Sequence, residues 1–234
     1  MSSKATVLLT RPSAQAQRFA ASLPATYPVV IAPVMEIVTR RSAVDLGGVG
    51  AVILTSENGA RALAELADVA ELTAFCIGGR TARAATELGM QAIAADGSAD
   101  ALVALVARHD PKARLLHARG AETRGDVVKK LVARGFDARA VVVYDQVEIA
   151  LNGQAMALLA GSGRVILPLF SPRSARLVAA QAKNARAPLA IVALSDAVAS
   201  AWAGPEPESV TVTIAPTADH MKAAIATIWA DLPP

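Results

Sequence analysis

The sequence predicts an α/β protein made of two similar, doubly wound parallel-sheet domains joined by a two-stranded antiparallel connector. Three observations support this. First, short strand-to-helix patterns occur in order and then recur in the same order. A strand ending in a basic residue appears as Val7-Leu-Leu-Thr-Arg11-Pro and again as Leu115-Leu-His-Ala-Arg119-Gly. A strand ending in a hydroxyl appears as Val52-Ile-Leu-Thr-Ser56 and again as Val165-Ile-Leu-Pro-Leu-Phe-Ser171. A strand running into a small-residue turn appears as Phe75-Cys-Ile-Gly78 and again as Ile191-Val-Ala-Leu-Ser195. Second, matching members lie about 110 residues apart, which is the spacing of domains and not of solenoid repeats. Third, strands and helices alternate along most of the chain, which implies parallel sheets with helices on both faces.

The elements follow in order. Residues 6–10 read as a buried strand, and Pro12 suits the first turn of a helix. Ala16, Phe19, Ala20 and Leu23 keep the spacing of one buried helical face. A strand from Val29 to about Val38 is interrupted by Pro33, as an edge or a connector would be. Then come strand 51–55, helix 57–67, strand 73–77, helix 80–88 and a short strand at 91–94. Gly89 stands where a C-cap glycine belongs. Ser98 suits the N-cap of helix 99–109. Strand 113–117 and helix 122–134 follow. Residues 140–149 are too long for one compact parallel strand and read as the return crossing, antiparallel to the first crossing around 33–38. Beyond it lie helix 153–160, strand 164–169, helix 172–182, strand 189–194, helix 196–203, strand 210–214 and helix 218–230. The first domain is therefore split, residues 1–36 plus 149–234, and the second, 39–143, is inserted between connecting strands 33–39 and 141–149.

Composition narrows the function. Of 234 residues 53% are hydrophobic and only 3% aromatic, so the cores must be aliphatic and tightly filled. The net charge of +3 is not gathered into a tail or stripe. A nucleic-acid binder needs a concentrated basic face, usually with stacking aromatics, so that class is set aside. One cysteine, Cys76, permits no internal disulfide and fits a reducing compartment. No signal peptide and no stretch of roughly 18 uncharged apolar residues is present, so a cytoplasmic protein without a membrane partner is expected.

In a doubly wound sheet, ligands bind beyond the carboxyl ends of the strands. The repeated motifs are those ends. Each places helix-start N–H groups at a rim, where they attract anions. Arg11, Arg80, Arg119, Arg124 and Arg173 add basic side chains there. Two such rims facing one another would form a cleft for a large ligand bearing several carboxylates or phosphates. No phosphate loop occurs, and Ile77-Gly-Gly-Arg lacks the third glycine of a dinucleotide fingerprint, so no cofactor is expected. His117 lies near Arg119 and Glu122, but no second histidine completes a metal-ligand spacing, so no metal is expected. Cys76 reads as a core residue.

At this point the residues resemble those of the uroporphyrinogen-III synthase family. The matching features are Leu9-Thr-Arg-Pro, Leu54-Thr-Ser-Glu-Asn-Gly, Ile77-Gly with Thr81, Val143-Tyr144, and Phe170-Ser-Pro-Arg-Ser. In order, they cover nearly the whole chain. The resemblance implies two flavodoxin-like domains and a monomeric lyase without metal or cofactor. Its implied reaction closes linear hydroxymethylbilane, a polycarboxylate, into a macrocycle with inversion of the last pyrrole ring and loss of water. Tyr144 matches the family's tyrosine and is the candidate for helping the hydroxyl leave; an ordinary phenol is protonated at neutral pH and can donate. Its other reading is an anchor for the crossing strand. Ser56, Thr81 and Ser171 match cleft positions and also suit plain N-capping, worth about 1 kcal/mol each. Asn58, Gly78, Arg11 and Arg119 complete the expected substrate contacts. Where many members carry a hydroxyl in the last repeat this chain has Ala197-Val198, which leaves Ser195 as the nearby contact. A non-catalytic hinged module that binds a polyanionic small molecule is the alternative. A flavodoxin-like signalling receiver would need an acidic cluster at the first strand end, where this chain has Thr10-Arg11.

Overall fold

The computed structural model describes residues 5–122 and 126–231. In chain order the elements are β1 (Ala5–Leu9), α1 (Ser13–Ala20), β2 (Val29–Ile31), β3 (Met35–Thr39), β4 (Val49–Leu54), α2 (Glu57–Leu66), β5 (Thr73–Cys76), α3 (Gly79–Glu87), β6 (Gln91–Ala94) and α4 (Ala99–His109). They continue with β7 (Arg114–Gly120), α5 (Val127–Val132), β8 (Ala138–Glu148), α6 (Gly153–Ala160), β9 (Arg164–Leu169), α7 (Pro172–Gln181), β10 (Leu189–Ala193), α8 (Asp196–Ala199), β11 (Ser209–Val212) and α9 (Ala218–Ala230). The chain divides into two compact units, residues 1–36 with 147–234, and residues 37–146.

The first unit holds a five-stranded sheet in the order β11-β10-β9-β1-β2, with every neighbouring pair parallel. Numbered within the unit, this is the flavodoxin-like order 2-1-3-4-5, which reverses between β1 and β9. Period-two alternation gives the sheet two apolar faces. Leu8, Val165, Leu167 and Ile191 pack with Ala155 and Leu159 of α6, Val178 of α7 and Val198 of α8. Val7, Leu9, Ile166 and Val192 pack instead with Ala16 and Phe19 of α1 and Met221 and Ile225 of α9. Pro168 lies in the middle of β9, opposite Val192 of β10. On the other side the pairing with β1 ends at Val7↔Ile166, before the proline, although β1 itself runs on to Leu9 beside β2.

The second unit holds six strands in the order β3-β8-β7-β4-β5-β6. The pairs from β8 to β6 are parallel, and the order reverses between β4 and β7. Val52, Leu54, Cys76, Leu116 and Ala118 pack with Ala60 and Leu63 of α2 and Ala85 of α3. Ala51, Ile53, Phe75 and Leu115 pack with Leu102, Val103 and Val106 of α4 and Val127 and Leu131 of α5. In this unit one helix pair covers each face.

Some elements differ from the sequence expectation. The strand anticipated at 113–117 reaches Gly120, because β8 stays paired with it from Leu115 to Gly120. The segment expected as a pure return crossing is one eleven-residue strand, β8. Its first half is a parallel neighbour of β7, from Leu115↔Ala138 to Gly120↔Tyr144. It also pairs with β3, where one bond runs from Arg40 N to Val143 O and another from Ile149 N to Val34 O, so those two strands are antiparallel. The length that argued against a compact strand comes from this double duty. Helix α8 ends at Ala199 and not at 203: beyond it the backbone bonds tighten to the i→i−3 kind, Ala201 N to Val198 O and Trp202 N to Ala199 O, and the Trp202 indole donates to Pro205 O in the turn that follows. The start of the helix expected at 122–134 lies partly outside the described residues, as does Arg124.

Candidate functional site

In the second unit, the order reversal lies between the ends of β4 and β7. Strand β4 runs out through Thr55 to Ser56, whose backbone is extended (φ −155°, ψ 153°) and whose Oγ accepts from Gly59 N at 3.0 Å. That bond satisfies one of the orphan N–H groups at the start of α2. A Cβ on Gly59 would stand 2.8 Å from Ala118 O, so the glycine lets α2 lie directly on the end of β7. Asn58 sits half-buried in the same first turn. Glu57 takes up Arg80 at 3.4 Å, a contact whose arginine is 71% exposed and which is worth little by itself.

Tyr144 reaches this corner from β8. The β7–β8 register steps by one residue there, from Arg119↔Val142 to Gly120↔Tyr144, which leaves Val143 without a partner on β7. Strand alternation would put Val143 and Tyr144 on opposite faces. The step puts both on the α2–α3 face, where both are buried. Ala121 N then donates to Tyr144 O at 3.0 Å. The ring lies against Gly120, where a Cβ would come within 2.6 Å of it. The phenol hydroxyl ends 3.2 Å from Ser56 Oγ.

On the opposite sheet face, His117 is buried, with Nε2 3.1 Å from Thr55 Oγ1. Burial, helped by the nearby Arg119 charge, pushes its pKa down to about 4, so the imidazole is neutral at pH 7. The Arg119 guanidinium donates to Gly120 O at 3.0 Å and Ala121 O at 3.3 Å, and so braces the rim it stands on. His117 and Arg119 line one wall of a cavity of about 190 Å³, with Asp126, Val127, Val128, Lys129 and Ala140 around it.

Gly78 and Thr81 stand at the end of β5. Gly78 is the N-cap of α3, with an extended backbone that any residue could adopt. The sequence suggests Thr81 as a cap; in the structure it lies inside the first turn of α3 and is 6% exposed. Cys76, in the strand before it, has its thiol pushed up to about 12 by burial, as befits a core residue.

The first unit carries the remaining candidates on the adjacent ends of β1, β9 and β10. Arg11 lies over the ring of Phe170, 4.0 Å from its centroid, which is cation–π distance. Ser171 caps α7 through Ser174 N at 3.1 Å. Its backbone angles, φ −155° and ψ 151°, almost coincide with those of Ser56. Ser195 occupies the N-cap of α8 and makes no side-chain capping bond. Val198, at the position where relatives were expected to carry a hydroxyl, is buried in the core.

The candidates thus fall into two groups, one in each unit: Ser56, Asn58, Gly78, Thr81, Arg119 and Tyr144, and Arg11, Ser171 and Ser195. Sequence reading missed Thr55, Gly59 and Gly120 and did not place His117. A glycine just inside a helix and another closing a strand were the available signals. Among the described residues no group of His, Cys, Asp and Glu is arranged to hold a metal ion. No helix there is long and apolar enough to cross a membrane.

Fold and site together define a doubly wound α/β protein with a hydroxyl-bearing rim in each unit and a tyrosine on one of them. The family described as HEM4, uroporphyrinogen-III synthase HemD, matches residues 24–223, and the chain belongs to it. No curated protein matches the sequence. Among solved structures, the uroporphyrinogen-III synthetase of Helicobacter pylori shares the fold, with a TM-score of 0.69 at 15% identity over 95% of this chain and 99% of that one. A mutant uroporphyrinogen III synthase from the extremely thermophilic bacterium Thermus thermophilus gives a TM-score of 0.49 at 15% identity, with 97% and 100% of the two chains covered.

Proposed function

We propose that this chain, a member of a family of cyclising lyases of tetrapyrrole biosynthesis, converts hydroxymethylbilane into uroporphyrinogen III and that Tyr144 starts the reaction. The observation that carries this reading is the Tyr144 hydroxyl, held 3.2 Å from Ser56 at the order reversal of the second sheet. Its phenol donates a proton to the terminal hydroxyl of the substrate. The carbon–oxygen bond breaks, water leaves, and an electrophilic azafulvenium cation remains beside the phenolate. The substituted carbon of the last ring attacks it to give a spiro intermediate; the bond from that carbon to its old methylene breaks, the methylene rejoins the ring's free α-carbon, and the proton lost there restores the phenol. The protein has little covalent chemistry to do. Its work is to hold a flexible chain so that inversion outruns spontaneous closure.

The substrate's carboxylates are taken up by helix-start N–H groups and arginines: those near Ser56, Asn58, Gly78 and Thr81 with Arg119 in one unit, and those near Ser171 and Ser195 with Arg11 in the other. The protein acts as a cytoplasmic monomer on this small molecule, without nucleic acid. The test couples hydroxymethylbilane production to the purified protein and separates the product isomers by chromatography. Isomer III above the uncatalysed background is expected. Isomer I alone would overturn the reading and leave a binding module.

A further inference from the structure

We infer that Ser56 is a positioning residue for this reaction: it donates its hydroxyl hydrogen to the phenol oxygen of Tyr144 and so turns the phenol's own proton away from the protein, toward the substrate. The inference rests on the reading of Tyr144 as the group that protonates the leaving hydroxyl.

The direction of the bond follows from what Ser56 has already accepted. A serine hydroxyl offers one hydrogen and two lone pairs. Ser56 Oγ accepts from Gly59 N at 3.0 Å, and among the described residues its remaining neighbour in hydrogen-bonding range is the phenol at 3.2 Å. If Tyr144 donated to Ser56, the phenol proton would be spent inside the protein and the serine hydrogen would lack an acceptor there. With the bond reversed, Gly59 N–H, Ser56 O–H and Tyr144 O–H point the same way in sequence. Each bond then polarises the next, and the partial positive end of the ten-residue helix α2 lies behind them.

Capping alone does not require this contact. Ser171 makes the same cap with nearly the same backbone angles in the other unit, yet its second hydroxyl neighbour is Ser174 Oγ at 2.9 Å, in its own helix. Among the described residues the pairing with tyrosine belongs to one rim, and the one-residue step in β8 delivers it. The ring lies against Gly120 so closely that no Cβ would fit between them, which limits its travel on that side.

The experiment measures kcat and KM for isomer III formation in four proteins: Ser56→Ala, Ser56→Thr, Tyr144→Phe, and Ser56→Ala combined with Tyr144→Phe. Circular dichroism checks that each is folded. Ser56→Ala is expected to lower kcat about tenfold, with KM within about twofold, because a bond made through Tyr144 is lost and a substrate contact is not. Ser56→Thr keeps a hydroxyl and restores kcat to within about threefold of the parent. In the Tyr144→Phe background, Ser56→Ala costs nothing further. A raised KM with unchanged kcat, or an equal loss with and without the phenol, would overturn the inference and make Ser56 a direct substrate contact. Tyr144→Phe inactive beside a fully active Ser56→Ala would overturn it while sparing the role of Tyr144. Full turnover by Tyr144→Phe would sink both.

Discussion

The hydroxyl of Tyr144 lies 3.2 Å from that of Ser56, a residue 88 positions earlier in the chain. The ring behind that hydroxyl is buried, so removing the oxygen leaves the packing in place. Tyr144→Phe is therefore expected to fold normally and to lose about a hundredfold or more of its isomer III turnover, the range for loss of a general acid. Quantifying both isomers by chromatography checks this. Unchanged turnover would remove Tyr144 from the mechanism.

Gly120 sets where the tyrosine ring can rest. A Cβ there would meet two ring carbons of Tyr144 at 2.6 and 2.7 Å and its hydroxyl oxygen at 2.9 Å, and the ring has no loose end to swing aside. Gly120→Ala is expected to cost about 1–3 kcal/mol of stability as overpacking. It should also lower turnover, because the displaced ring carries its hydroxyl off Ser56. Urea midpoints and kcat measured together decide the matter. A variant with lowered stability and full activity would show that the position of the ring is not critical.

His117 makes stability depend on pH. Its pKa falls from 6.5 to about 4 on folding, through burial first and Arg119 second. The unfolded chain then binds the proton more readily. The neutral imidazole's contribution is complete above pH 6.5, is lost as the pH falls from there toward 4, and changes no further below that. Each pH unit between the two values is worth about 1.4 kcal/mol, so the loss approaches about 3 kcal/mol. Denaturant midpoints at several pH values should show this slope in the parent. His117→Gln should flatten the part between pH 6.5 and 4 and leave the carboxylate-driven loss at lower pH. Parallel curves would mean that His117 titrates alike in both states.

Cys76 offers a label-based check on the core. Its thiol is buried and held near a pKa of about 12, so almost no thiolate exists at pH 8. An aromatic disulfide reagent should leave the native protein unmodified while labelling the urea-unfolded chain within the mixing time. Prompt reaction of native protein would show that β5 is open to solvent.

The parallel sheets were legible because strand and helix signals alternate cleanly and recur. Ser56 and Ser171 stood out because a hydroxyl between an apolar strand and a helix has a local job, and both perform it. What was not legible depends on neighbours distant in sequence. Nothing in Val143-Tyr144 announces that β8 slips by one residue against β7, since the step is fixed by the meeting of three strands. Thr81 read like a cap because hydroxyls favour caps, but Gly78 starts the helix sooner and draws the threonine inside. His117 carried no visible partner because Thr55 lies 62 residues away. The reach of β8 was hidden because a strand that serves two neighbours in succession need not be short.

Strand β1 has as its central neighbour β9, which begins at Arg164. As the chain leaves the ribosome, the first three dozen residues therefore emerge without the strand that completes their sheet. The unit from 37 to 146 is contiguous and can close while they wait. Synthesis thus runs past an unfinished N-terminus, exposing Val7, Leu8 and Leu9 until the last third of the chain arrives. That interval is when the nascent protein most needs shielding from aggregation.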